Sequence, residues 1–310
     1  MNQQEEYEHI EQCALNAYTD FFFIIIRFLH GVTWGFSTVS ASTLAIDLVP
    51  SERRAEGIGF YGTFTNVAMA IAPFIAIHIY ELHGFPMLLC AAMGMGILGI
   101  IAVSLIKAPV RQKTVRKKLS LDRFFLLRAW PIFVNQLFPC FAWGTIGPFV
   151  AQYGKEIHIP NAGIYFLFWA TGIILSRVFS GRLVDRGHIH KVNMTAMAIV
   201  ALSFFGFGLY HNVYAFCLAG LFIGVGFGMM LPALQTLYIN MADHNQRGTA
   251  NSTYLVGFDL GLALGMLLGG FISGHHSFEA LYLTGGVVCL ASIVIYWFVS
   301  KPLFDRKRLR

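Results

Sequence analysis

From Phe21 onward the chain alternates long apolar stretches with short polar loops, and part of this pattern occurs twice. The stretch Arg27–Ala70 lies over Gly220–Ala263 without a gap. Gly31, Val32, Gly35, Thr43, Leu44, Ile46, Arg54, Tyr61 and Ala70 each meet the same residue type, at Gly224, Val225, Gly228, Thr236, Leu237, Ile239, Arg247, Tyr254 and Ala263. Two helix-length segments and the loop between them stay in register, and the match continues weakly to His83/His276 and Phe85/Phe278. Internal repeats of bundle size are frequent in secondary transporters. A transporter-like architecture is therefore expected, and the repeat predicts that the first half lacks three helices present in the second.

Soluble domains are about a quarter charged, whereas this chain is 12% charged and 56% hydrophobic. That leaves too few charges to coat a soluble protein of this length. Runs such as Met87–Ile106 and Leu281–Val299 approach or reach the ~20 residues that carry a helix across ~30 Å of hydrocarbon, and Phe21–Ile26 opens another with six apolar residues in a row. The expected fold class is an all-α polytopic membrane protein with about nine transmembrane helices, at roughly 21–48, 57–79, 86–106, 130–152, 161–180, 192–210, 213–240, 249–272 and 279–300. Five cysteines are scattered singly, with no metal or disulfide spacing.

The net charge of +6 is concentrated. Lys107–Arg128 holds eight basic residues against Asp122, and Lys301–Arg310 holds five against Asp305. Loops rich in Lys and Arg stay on the cytoplasmic side. Placing both segments inside also places Arg53, Arg54, Arg182, Arg186, Lys191 and Arg247 inside, leaving only Arg27 and Lys155 toward the outer side. The basic balance is a topology signal with the lipid bilayer as partner, and it does not call for nucleic acid. Counting back from the 107–129 linker places the acidic segment 1–20 outside, without the basic region or cleavage site of a signal peptide. The expected organisation is 1–20 polar, 21–106 a partial bundle, 107–129 a cytoplasmic linker with Leu119–Leu127 as an amphipathic surface helix, 130–300 a complete six-helix bundle, and 301–310 a basic cytoplasmic tail.

One loop carries a recognisable motif, Gly181-Arg182-Leu183-Val184-Asp185-Arg186-Gly187. It resembles the G-x-L-x-D-R-x-G signature of the major facilitator superfamily (MFS), shortened by one residue before the last Gly. The charge logic is a sharp turn starting at Gly181, with Asp185 facing a helix N-terminus or an arginine such as Arg53, Arg54 or Arg247. Arg27-Phe28-Leu29-His30-Gly31 resembles the R-x-x-x-G motif of the family's fourth helix. Gly59 and Pro73 are what survives of the fifth-helix antiporter motif, with Ala68 and Ala72 at two of its glycine positions. The repeat partners Gly261, Gly265, Gly269 and Gly270 keep the glycines and lack the proline. The resemblance spans roughly 21–300 and is nearest to efflux permeases. It implies an MFS fold supplying helices four to six and seven to twelve, a small-molecule substrate held near the bilayer midplane, exchange with protons, alternating access, no cofactor, a monomer, and a bacterial inner (plasma) membrane location.

Of sixteen acids, only Asp259 falls deep within a span. A charged carboxylate in hydrocarbon is costly, so it must be neutral, paired or facing a wet cavity, and a carboxyl that changes protonation is what proton coupling requires. Its repeat mate is Asn66. Arg27 either snorkels to the outer interface or meets an anion. Asn66, Asn135, Gln136, Trp143, Gln235 and Tyr254, with Tyr165, are candidates to line a substrate cavity, since polar residues at span depth face the bundle interior. Arg177 reads as an interfacial anchor. His78 and His83 flank Glu81, but i and i+5 do not share a helix face, so they form a solvated rim and no metal site is expected. The leading function is a proton-coupled efflux transporter. The alternatives are an uptake symporter and a truncated, non-transporting remnant. A membrane enzyme is excluded by the lack of an HExxH-type motif or nucleophile constellation.

Overall fold

The computed structural model describes residues 21–38, 40, 41, 44, 48, 54–106, 125–243 and 246–308. Among these residues every regular element is helical. In chain order they are α1 (Phe21–Thr38), α2 (Arg54–Ser104), α3 (Trp130–Gly144), α4 (Ile146–Glu156), α5 (Ile164–Asp185), α6 (Ile189–Leu209), α7 (Val213–Asn240), α8 (Arg247–His275), α9 (Phe278–Ile295) and the short α10 (Lys301–Lys307). Seven runs are long and apolar enough to cross a membrane, six of them along α1, α2, α5, α6, α7 and α8 and the seventh running from α9 through α10.

Several expected boundaries move. The spans 57–79 and 86–106 are joined in α2 around one non-helical residue, Gly84 (φ 75°, ψ −178°). Positive φ suits a residue without a Cβ, and Pro86 favours the first turn of a new helical arm. The connection is a kink and not a loop. The span 130–152 breaks at Thr145 into α3 and α4. Pro148 offers no N–H to the Gly144 carbonyl, and the Thr145 hydroxyl donates to the Ala142 carbonyl at 2.7 Å. Thr145 keeps right-handed angles (φ −78°, ψ −14°), so the path bends without stopping. The basic segment after residue 300 continues as helix: α9 passes through a π turn at Tyr296–Ser300 into α10, where Phe304 is buried. Of the amphipathic segment expected at Leu119–Leu127, the described end is anchored in protein. The Leu126 N–H donates to Thr253 Oγ1 at 2.7 Å, and Phe125 packs edge-on against Phe133.

The chain forms two compact units, one of Met1–Thr65 with Leu98–Lys113, the other of Asn66–Ile97 with Thr114–Arg310. In the first, every described residue of α1 is exposed. Its Thr33 and Thr38 hydroxyls donate back to the His30 and Trp34 carbonyls, both at 2.8 Å, which hides their polarity within the helix.

The second unit contains a helical bundle in which α7 packs on α5 and α6, α8 on α3, and α9 on α3 and α6. Lipid supplies no hydrophobic force between helices, so close packing has to hold them. Gly220, Gly224 and Gly228 form a stripe on α7, one turn apart. A Cβ at Gly220 would stand 2.8 Å from the Tyr165 carbonyl, and one at Gly224 would strike the Trp169 carbonyl. A second stripe, Gly257, Gly261, Gly265 and Gly269, runs along α8 against α3 and α4. A Cβ at Gly265 would strike the Phe141 carbonyl, and one at Gly269 would stand 2.9 Å from the Phe149 ring. Side chains cap the starts of α7 and α9: Asn212 Oδ1 accepts from the Ala215 N–H (2.9 Å) and Ser277 Oγ from the Ala280 N–H (3.1 Å). On the outside of the bundle, Leu202, Leu267 and Phe298 are 69%, 73% and 72% exposed, apolar faces that require hydrocarbon around them.

These contacts predict opposite outcomes at two glycines. Gly224→Ala forces α7 away from α5 and should lower unfolding stability by about 1–3 kcal/mol. Gly206→Ala meets nothing within 4 Å and should leave it unchanged or slightly raised. Thermal unfolding of the purified variants in detergent, followed by circular dichroism, measures both.

Candidate functional site

The polar and aromatic residues singled out in the sequence do not share one surface. Trp143, near the end of α3, sits at the centre of a ring cluster drawn from four helices. Its ring meets Phe227 of α7 at 4.6 Å, Trp169 of α5 at 4.9 Å and Phe258 of α8 at 5.5 Å, all edge-on. Edge-on contact sets the positive edge of one ring against the negative face of the next. Trp169 Nε1 is buried and has no hydrogen-bond partner among the described residues.

Two turns earlier on α3, Asn135 and Gln136 are both fully buried, where they tie the bundle together. Gln136 Nε2 donates to the Tyr254 carbonyl at 2.9 Å, and the Tyr238 hydroxyl donates to Gln136 Oε1 at 2.7 Å. Asn135 Nδ2 donates to the Ser292 carbonyl at 2.7 Å, while its Oδ1 has no partner among the described residues. Gln235 Nε2 donates to Asn251 Oδ1 at 2.7 Å, bridging α7 and α8. Tyr165 is enclosed, with Phe207 and Phe216 around its ring. Arg177 is half-buried, and its Nε has no partner among the described residues.

Asp259 stands apart from these braces. It lies twelve residues into α8, ~18 Å along a ~43 Å helix, and is exposed on the side of α8 away from its glycine stripe. It makes no hydrogen bond or ion pair with any described residue. Its neighbour Phe258 joins the Trp143 ring cluster, so the carboxyl follows directly on a packed residue. Arg27 is exposed on α1, its guanidinium 5.8 Å from the centre of the Phe23 ring one turn away. Pro73 is half-buried within α2. Gly59 and Asn66 lie on α2, but their side-chain surroundings lie outside the described residues, as do those of Arg182, Asp185 and Arg247. The partner expected for Asp185 therefore also lies outside them.

The backbone of the motif loop is described, and it corrects one expectation. The turn does not start at Gly181: α5 continues to Asp185, and the turn is made at Gly187 (φ 83°). The Gly187 N–H donates to the Val184 carbonyl at 2.9 Å and the His188 N–H to the Leu183 carbonyl at 3.1 Å. This pair of bonds closes a helix end around a left-handed glycine. The motif's last glycine is therefore the one that the geometry needs. Arg186 is exposed there. Sequence reasoning also missed Phe227, Trp169, Phe258, Tyr238 and Ser292. The signal of the three rings was apolar character at span depth, and that of Tyr238 and Ser292 a single hydroxyl there, both of which core and cavity residues share.

The profile of the Major Facilitator Superfamily matches residues 12–186 and again 132–309. The chain is 20% identical over 294 residues to the staphylopine export protein of Staphylococcus aureus (strain Mu50 / ATCC 700699), covering 90% of this chain and 74% of the relative. It is 23% identical to the multidrug resistance protein MdtG of Dickeya zeae (strain Ech586), covering 92% and 72%. Among solved structures, a bacterial homologue of the human lysosomal transporter Spinster, inward-facing and unoccupied, has the same fold at a TM-score of 0.61, 14% identity and coverage of 87% and 75%. The chain belongs to the Major Facilitator Superfamily. It is a multi-pass membrane transporter and not an enzyme.

The Gln136 brace makes a testable distinction between two tyrosines. Tyr238→Phe removes the donor to Gln136 Oε1 and leaves that acceptor buried and unpaired, a cost of about 1–3 kcal/mol. Tyr254→Phe keeps the accepting backbone carbonyl and should cost far less. Denaturant or thermal unfolding of the two variants side by side checks this, and equal losses would show that the brace does not act through these atoms.

Proposed function

We propose that this chain is a proton-coupled exporter of small organic molecules that works by alternating access in a bacterial inner membrane, as a monomer. The observation that carries this reading is Asp259, a lone carboxyl at mid-span depth on the exposed side of α8, with no cation among the described residues bonded to it. Such a group is stable only when it is neutral or faces a wet path. A group that is neutral in one state and charged in another carries a proton with each cycle. Export as the direction follows the names of the relatives, one a staphylopine export protein and others multidrug resistance proteins.

In this reading the chain crosses the bilayer nine times, with α2 crossing as two arms about Gly84 and the bent pair α3–α4 crossing once. Residues 21–106 are the partial first half, 107–129 the cytoplasmic linker, 130–300 the complete second half and 301–310 a cytoplasmic end. Asp259 is the second half's titratable group on the substrate path, while Trp143, Tyr254 and the Gln235–Asn251 pair brace the helices that carry it.

The test is energised efflux of ethidium from an efflux-deficient bacterium expressing the full chain. Efflux should stop when a protonophore is added. Asp259→Asn should reduce it to the level of cells without the chain, with unchanged membrane abundance and thermal stability. In everted vesicles the same variant should flatten the dependence of transport on pH. Unchanged active efflux by Asp259→Asn would reduce Asp259 to a structural residue.

A further inference from the structure

On the outer flank of the bundle a groove runs between α6 and α7, with a volume of about 460 Å³, within the ~300–1,000 Å³ of ligand clefts. Its floor is made by small residues, Gly206 and Ala215 among them, and its walls by Ile199, Leu202, Leu218 and Phe222. A Cβ built at Gly206 meets nothing within 4 Å. The wall is apolar even where it carries a hydroxyl, because Ser203 Oγ donates to the Ile199 carbonyl at 2.6 Å. Water in such a groove would find few partners.

The length of the groove selects its occupant. From Ile199 to Tyr210 a helix rises ~16 Å, about half of the ~30 Å hydrocarbon core. Ile199 is midway along α6 (Ile189–Leu209), and the groove does not extend toward the start of that helix. A transmembrane helix of another protein, or of a second copy, would need a seat through both leaflets. One acyl chain needs a seat through one. At the end away from mid-span, Tyr210 lines the mouth and Tyr214 stands in the first turn of α7, 63% and 78% exposed. Tyrosines favour the interface between headgroups and hydrocarbon. The His211–Glu279 pair at 4.0 Å adds polar groups at the same level.

We propose that the α6–α7 groove seats one acyl chain of a membrane phospholipid, with the headgroup held beside Tyr210. The leaflet is the outer one in the topology proposed above. The seat itself rests only on the geometry, and its test does not depend on transport.

The experiment reconstitutes the full chain in vesicles of phosphatidylethanolamine and phosphatidylglycerol that contain a trace of phosphatidylethanolamine with a photoreactive diazirine in its acyl chain. After irradiation, labelled residues are mapped by mass spectrometry. Leu202, Leu218 and Phe222 should be labelled about five-fold more than Leu267 and Phe298, a preference of about 1 kcal/mol at 1.4 kcal/mol per decade. Gly206→Leu with Ala215→Leu fills the groove and should bring its labelling down to the level of Leu267, with unfolding temperature unchanged. Tyr210→Phe should reduce the enrichment while leaving the groove open. Uniform labelling of the wild type, or enrichment that persists in the filled variant, overturns the proposal. Cross-links between copies through Leu218→Cys, in place of lipid labelling, would assign the groove to a second copy and overturn it equally.

Discussion

The bundle depends on backbone-to-backbone approach between helices that have no hydrophobic reason to associate. In hydrocarbon, a leucine gains nothing by leaving lipid for another leucine. What holds α7 on α5, and α8 on α3, is that glycines four residues apart let one helix's backbone touch the other's carbonyls. Gly172 of α5 returns the contact, since a Cβ there would strike the Leu221 carbonyl of α7. Everything finer follows from that spacing. The Trp143 ring reaches Trp169, Phe227 and Phe258 only because α3, α5, α7 and α8 converge, and the Tyr238 hydroxyl reaches Gln136 for the same reason.

Glycine stripes allow helices to slide, and the buried amides fix their register. Asn135 and Gln136 are consecutive on α3, so their side chains diverge by about 100° around the helix. One reaches Ser292 on α9, and the other meets Tyr238 on α7 and Tyr254 on α8. Two adjacent residues thus brace α3 on two sides at one level. Hydrogen bonds in a low-dielectric interior are strong, and unmade ones are costly, so a slip of one residue breaks several at once. Asp259, exposed on α8, takes no part in this network among the described residues.

Much of this was legible in the sequence. Apolar length and sparse charge gave a polytopic helical protein, and the motif at Gly181–Gly187 with the internal repeat pointed to the family. The boundaries that moved are those decided by a single backbone bond. Gly84 with Pro86 reads as a loop, yet one positive φ is enough to redirect the chain. The Pro148 that breaks α3 from α4 looks, in sequence, like the other prolines within spans. Asn135 and Gln136 read as cavity candidates because burial among partners and exposure to a wet path demand the same residue types. Only the positions of Ser292 and Tyr238 separate the two, and neither residue is distinctive on its own.

The internal repeat shows how far a shared frame constrains chemistry. Gly224 and Gly228 lie under carbonyls and side chains of α5, whereas their mates Gly31 and Gly35 on α1 have nothing within 4 Å among the described residues. The same spacing permits close approach in both places and is used in one. Gly261 and Gly265 likewise match Ala68 and Ala72, and Met266 takes the place of Pro73. At the level of Asp259 the repeat offers Asn66, which matches its size and hydrogen-bonding shape but cannot titrate. A frame repeated twice with a carboxyl in one copy places one titratable group at that depth. A carboxyl in both would place two, each shifting the other's protonation if they lay close. In the proton coupling proposed for Asp259, this asymmetry is what limits the duplicated scaffold to a single titratable group at that depth.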